Sequence, residues 1–263
     1  MKLALIILML LIAIPWVAPY DPLEQRRDLA GAAPGVHHWL GTDDYGRDVF
    51  SRFLYGGRWS ILTGAAATLL VLLLSWILGG LAGYFGGWVD QLVMRVAEVF
   101  LVLPWLYLLL AARSLLPLSL EPRAAFLAML LLVALVSWAR PARLVRGLVL
   151  SIKERAYVEA ARGFGVPGWT ILLHHILPDT QALLVTQALI LLPRFVLAEV
   201  TLSFLGLGTG EPDPSWGALL IPLKQAWMLS SEWWRVLPAM IMVPLFVGFA
   251  VAARRAERRS TLR

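Results

Sequence analysis

Two histidine pairs are the first residues that could do chemistry. His37 and His38 precede Asp43 and Asp44, and His174 and His175 sit together further along. Adjacent residues on a helix point about 100° apart, so neither pair readily presents one ligand face to a metal. The spacing H-E-x-x-H is absent, and so is the phosphate loop G-x-x-x-x-G-K-[ST]. There is no cysteine, which excludes disulfides and thiolate-bound metal. No nucleophile stands beside a base. What remains is charge inside an apolar run. Arg194 follows Pro193 near the middle of 180–205, with Glu199 beyond it. A charge at the centre of a bilayer costs about 2.5–3.5 kcal/mol on insertion scales, so such groups face protein or water. On a helix, Gln187 and Arg194 share one face, Glu199 and Ser203 share another, and about 140° separates Arg194 from Glu199. Gln187, Arg194 and Glu199 are therefore candidates to line a translocation path. Hydrogen bonding between helices, or pairing with another subunit, is an equal alternative.

The elements that must position these groups follow from hydropathy. Of 263 residues, 59% are hydrophobic and 15% charged, against roughly half and a quarter in soluble domains. The excess falls in blocks at 3–19, 60–83, 96–112, 124–139, 180–205 and 236–253. A helix of about 22 residues reaches about 33 Å, enough to cross the hydrocarbon layer. The expected fold is therefore all-α: a polytopic membrane protein with six transmembrane helices. The run at 3–19 imitates a secretory signal, but it ends in Pro15, Trp16 and Pro19 rather than in small residues, which favours a retained anchor. Residues 1–59 divide off as anchor and extracytoplasmic segment, and 60–263 as the transmembrane core.

Orientation comes from the basic residues. Arg140, Arg143, Arg146, Lys153, Arg155 and Arg162 precede Pro178, and the tail RRAERRSTLR adds five Arg. The positive-inside rule makes both cytoplasmic, and an even number of spans puts both termini there. Segment 20–59 carries five Arg as well, yet parity places it outside. The net charge of +6 is thus explained by the membrane flanks. The basic residues lack aromatic interleaving and a recognition motif, which argues against nucleic acid.

Between the fourth and fifth blocks lies a polar island, EAARGFGVPGWTILLHHILP, Glu159 to Pro178. Residues 153–165 read as a helix rich in Ala, which Gly165 can end in a left-handed conformation, with Pro167 just beyond. TILLHHILP reads as a second short helix. An amphipathic connector would explain the spacing equally well. The letters, however, resemble the cytoplasmic signature of ABC-importer permeases, in register at Glu159, Ala160, Ala161, Gly165, Leu177 and Pro178. One position departs: His175 stands where that family usually has Ile. Two further stretches are similar to the C-type permease of dipeptide, oligopeptide and nickel importers. HHWLGTDDYGRDVFSRFLYGGRWSI, His37 to Ile61, resembles the segment after the first span. LAEVTLSFLGLGTGEPDPSWGALL, Leu197 to Leu220, matches the end of the fifth core span and the loop after it.

The resemblance implies a permease subunit rather than an enzyme. It implies a coupling helix between spans four and five, seated on an ATPase subunit. It implies a second, B-type permease, two ATPase subunits holding ATP and Mg, and an extracytoplasmic substrate-binding protein, with no cofactor on this chain. The place would be the cell (inner) membrane of a bacterium or archaeon. In the first outside segment, Asp43, Asp44, Arg47, Asp48, Arg52 and Arg58 can form ion pairs, and Gly41, Gly46, Gly56 and Gly57 permit tight turns. A structured cap, or a docking surface for the binding protein, would follow. An ion-coupled carrier using Arg194 and Glu199 is the competing transporter class, and a membrane-embedded enzyme a third. Neither requires the polar island.

Overall fold

The structure is a computed structural model describing residues 14–102, 104, 107–108, 111, 121–208, 213–225 and 232–261. Most of the first apolar block and of the loop at 113–123, with parts of 206–233, lie outside them. Among the described residues the regular structure is helical, with one isolated antiparallel bridge, Thr42 to Asp48. In chain order the helices are α1 (Val49–Phe85), α2 (Gly87–Val102), α3 (Pro122–Ser137), α4 (Ala139–Lys153), α5 (Ala156–Gly163), α6 (Gly168–Ile171), α7 (Gln181–Phe204) and α8 (Leu237–Thr261).

Among the described residues three stretches are long and apolar enough to cross a bilayer: Val49–Phe85, Phe126–Lys153 and Gly168–Phe204. Trp233–Phe249 is apolar but shorter. These carry the blocks expected at 60–83, 124–139, 180–205 and 236–253. The block at 96–112 begins in α2 and then leaves the described residues. Helix α1 starts at Val49, well before its apolar block, because Arg52 in its first turns is buried against the Asp43 carboxylate and the Pro22 carbonyl.

The chain forms two compact units. The first comprises the described residues of 1–64, 119–126 and 194–249; the second, those of 65–118, 127–193 and 250–263.

In the first unit, segment 20–48 folds around Asp43. The Asp43 carboxylate accepts from the backbone N–H of Tyr45 at 2.9 Å and of Arg47 at 3.0 Å, and from Arg47 Nε at 2.6 Å. Arg52 Nε lies 3.6 Å from the same carboxylate. Asp48 caps α1 by accepting from the Ser51 N–H at 2.7 Å, while its other oxygen lies 2.9 Å from His38 Nδ1. Arg235 donates to Asp44 at 2.6 Å. Arg58 makes no ion pair among the described residues. Gly41 and Gly46 take positive φ (74° each) in the turns expected of them. Gly56 and Gly57 do not: they lie inside α1, where a Cβ would run into Ser215 and Trp216 at 2.8–2.9 Å.

In the second unit the core is aliphatic. Trp138, just before α4, and Ala142, Val145, Val149 and Ile152 within it recur at alternate steps of four and three and are all buried, the spacing of a single helix face. They pack with Tyr84, Val158, Ile171, Leu172, Ile176 and Leu177 in one cluster and with Ala97 in another. Arg146 on the outer side of α4 pairs with Asp90 of α2, and Lys153 donates to the Tyr84 carbonyl at 2.7 Å.

Candidate functional site

The polar island folds onto this aliphatic core as a helix, a turn and a second helical run. Helix α5 is shorter than the Ala-rich reading: Lys153 ends α4 instead, and Arg155 is the extended residue before α5. The stop is as expected. Gly165 has φ +76°, its N–H donates to the Arg162 carbonyl at 2.9 Å, and the Val166 N–H reaches back to Ala161 at 3.1 Å. These bonds satisfy carbonyls at the helix end that would otherwise lack partners.

The second helix is not separate. Residues Gly168–Phe204 run on as one helical stretch, with a wide π-turn at Leu172–Ile176 where the Leu177 N–H donates to Leu172 at 2.9 Å. The turn stands directly before Pro178. A proline ring has no N–H to give and would collide with the carbonyl four residues back in a regular α-helix, and widening the turn relieves both.

The six signature residues divide into two groups. Ala161 and Leu177 are buried in the core cluster, where they fix the segment in place. Glu159, Ala160, Gly165 and Pro178 are exposed. Around them lie exposed side chains that spacing did not single out: Phe164 at 88% exposure, Trp169 at 57% and Leu173. The signal for Phe164 was its place between two glycines, where a large apolar side chain has no helix face to pack against. Exposed apolar side chains that lie together in this way are of the kind found at protein and membrane contacts.

Asp179 ties the two ends of the island together. Tyr157 donates its hydroxyl to Asp179 at 2.7 Å, and Arg155 lies 3.4 Å from the same oxygen. Partial burial, and then the bond to Asp179, push the Tyr157 phenol above its ordinary titration range. Behind it, Trp76 donates to Thr180 at 2.9 Å. Neither contact was legible in the sequence, since each joins residues more than twenty positions apart.

The structure places the histidines differently. His37 is exposed and His38 buried against Asp48, with its ring 4.8 Å from that of Tyr20. His174 is exposed and His175 half-buried. Among the described residues no group of three or more His, Asp or Glu converges on a metal position.

The three path candidates also separate. Gln187 is half-buried and Arg194 exposed. Glu199 is buried at 2% exposure, accepting from the Ser203 hydroxyl at 2.6 Å. Ser60 and Ser215 are turned toward the same carboxyl. Ser60 also accepts from the Trp216 N–H at 3.2 Å, and Trp216 Nε1 donates to the Phe53 carbonyl at 3.0 Å. Glu199 thus sits where side chains of α7, α1 and the loop at 213–217 meet.

The sequence profile of the binding-protein-dependent transport system inner membrane component family matches residues 75–260. The chain is 36% identical over 241 residues to the dipeptide transport system permease protein of Bacillus subtilis (strain 168), covering 90% of this chain and 72% of that one. It is 37% identical over 242 residues to the oligopeptide transport system permease protein of Haemophilus influenzae, covering 91% and 75%. It is 37% identical over 217 residues to the glutathione transport system permease protein of Pectobacterium atrosepticum, covering 81% and 70%.

Proposed function

The chain belongs to the family of inner-membrane permeases of ABC importers, and within it we propose a C-type subunit that passes dipeptides or oligopeptides through the membrane. The proposal adds six spans with both termini cytoplasmic, a path shared with a second, B-type permease, and delivery by an extracytoplasmic binding protein. ATP and Mg sit on two separate ATPase subunits, and this chain holds no cofactor. Gln187 and Arg194 contribute to the path. Glu199 sets the outer end of α7 against α1.

The observation that carries the proposal is the form of the polar island. Its signature residues Ala161 and Leu177 are sunk in a rigid aliphatic core, while Glu159, Ala160 and Gly165 are presented outward beside Phe164. A connector has no need of an exposed aromatic on a stiff support. A joint that must transmit the closure of an ATPase to the helices needs both. The ion-coupled carrier finds no support among these relatives, which are transport permeases of one importer family.

Purification of the chain co-expressed with its second permease and ATPase subunits tests this. Wild type should retain the ATPases and hydrolyse ATP faster when loaded binding protein is added. Glu159→Lys, Phe164→Ala and Gly165→Asp should each weaken retention or abolish the stimulation while the two permeases still co-purify. Wild type that retains no ATPase would reduce the island to a connector and remove the proposal.

A further inference from the structure

Beyond Pro193, α7 has one open side. Phe195, Val196, Ala198, Glu199 and Val200 are buried, whereas Arg194 and Leu197 are exposed and Thr201 half-buried, at steps of three and four, the spacing of one helix face. Arg194 is the cation of that face. It stands near the middle of Gln181–Phe204, and among the described residues it makes no hydrogen bond, ion pair or ring contact. Arg47 and Arg52 of the same unit lie against Asp43, and Arg235 against Asp44. The Glu199 carboxylate on the same helix is turned inward to Ser203. Arg194 therefore combines a permanent charge, a mid-helix position and an open setting.

A guanidinium at that depth requires water or an anion. Its planar fork matches a carboxylate with two parallel hydrogen bonds, a match that an ammonium does not reproduce. We infer that Arg194 is the carboxylate-binding group of the path, receiving the terminal carboxylate of the solute as it passes. This rests on the peptide-importer reading. A peptide carries that carboxylate ionised at neutral pH, and an apolar passage has to neutralise it without holding it fast. A single guanidinium in a wetted path does so, binding well enough to admit the solute and weakly enough to release it. The carboxylate could instead belong to the second permease, which would make Arg194 a subunit contact; the solute is the source proposed.

The test uses the whole complex in proteoliposomes, with binding protein and ATP, and two probes supplied at saturation of the binding protein: dialanine and dialanine amide. Wild type is compared with Arg194→Gln. The same binding protein serves both complexes, so its own preference cancels in the ratio of ratios. Arg194→Gln is expected to assemble as wild type does, to lower dialanine uptake at least ten-fold, and to lower amide uptake less than two-fold. Undiminished dialanine uptake would overturn the inference, as would an equal loss for both probes. Failure of Arg194→Gln to hold the second permease, restored by an opposite charge change there, would assign the carboxylate to that subunit and overturn it as well. Absence of ATP-driven uptake in wild type would strike the importer reading itself, so the two failures are distinguishable.

Discussion

The two units bury different things. Among the described residues every buried charged or imidazole side chain lies in the first: His38, Arg47, Asp48, Arg52, Glu199 and Arg235. The buried polar groups of the second are hydroxyls alone, Thr68, Ser75, Thr180 and Thr186, and its cluster of Val, Ile and Leu is otherwise apolar. The first unit is thus specified by pairing and the second by packing. Pairing fixes loops of irregular shape, which have no helix ladder to order them, but it makes each partner indispensable. Packing gives a body from which residues such as Phe164 and Glu159 stand outward, free of the core.

The sharpest way to break this contrast is Asp43→Ala. It removes the carboxylate that receives Arg47 and approaches Arg52, both almost wholly buried, together with two backbone bonds of the turn. Removing one side of a buried ion pair typically costs about 3–5 kcal/mol. We expect the largest fall in thermal midpoint of the purified chain here, with protease sensitivity appearing first within 20–48. A fall no larger than that of a surface substitution would mean that pairing does not specify the first unit.

Next comes Ile176→Ala in the second unit. Ile176, at the end of the π-turn, is fully buried in the cluster with Val145, Val149 and Ile152 of α4, and truncation of such a side chain costs about 2–5 kcal/mol through lost contacts and a cavity. Because the cavity opens beneath the island, ATPase retention should fall together with stability. Lost stability with full retention would separate the core from the coupling surface.

The sequence disclosed these regions unequally, for physical reasons. Apolar blocks announced α3, α7 and α8, since a bilayer demands long runs whatever they pack against. The start of α1 was hidden because Arg52 and Arg58 lower the mean hydropathy, although Arg52 is neutralised by Asp43 and donates to the Pro22 carbonyl at 3.2 Å. Gly165 was legible because a left-handed stop is a property of one residue. The grouping of Glu199 with Ser203 was legible because it is a spacing of four on one helix, whereas Ser60 and Ser215 come from elsewhere in the chain. The π-turn gave no signal beyond Pro178. Which signature residues face outward depends on the core beneath them, and letters alone cannot sort Ala160 from Ala161.

The smallest effect refines the comparison, because Tyr157→Phe removes a polar contact from the unit that packing specifies. The hydroxyl reaches Asp179 at 2.7 Å on an exposed surface, so its loss should cost less than about 1 kcal/mol. The pH dependence carries a sign. The folded-state phenol is raised, so its contribution is fully present below the ordinary tyrosine value of about 10 and is lost as pH rises through the raised one. Wild type and Tyr157→Phe should therefore differ slightly at neutral pH and converge in alkali, as followed by thermal midpoint. The coupling readout can differ in kind. Asp179 stands just before α7 and Tyr157 in the first turn of α5, so their bond closes the island into a ring. If that ring transmits force, Tyr157→Phe will lower binding-protein-stimulated ATP hydrolysis by more than its small stability cost accounts for. If hydrolysis and stability fall in proportion, the aliphatic core alone carries the motion, and the bond only trims the edge of the island.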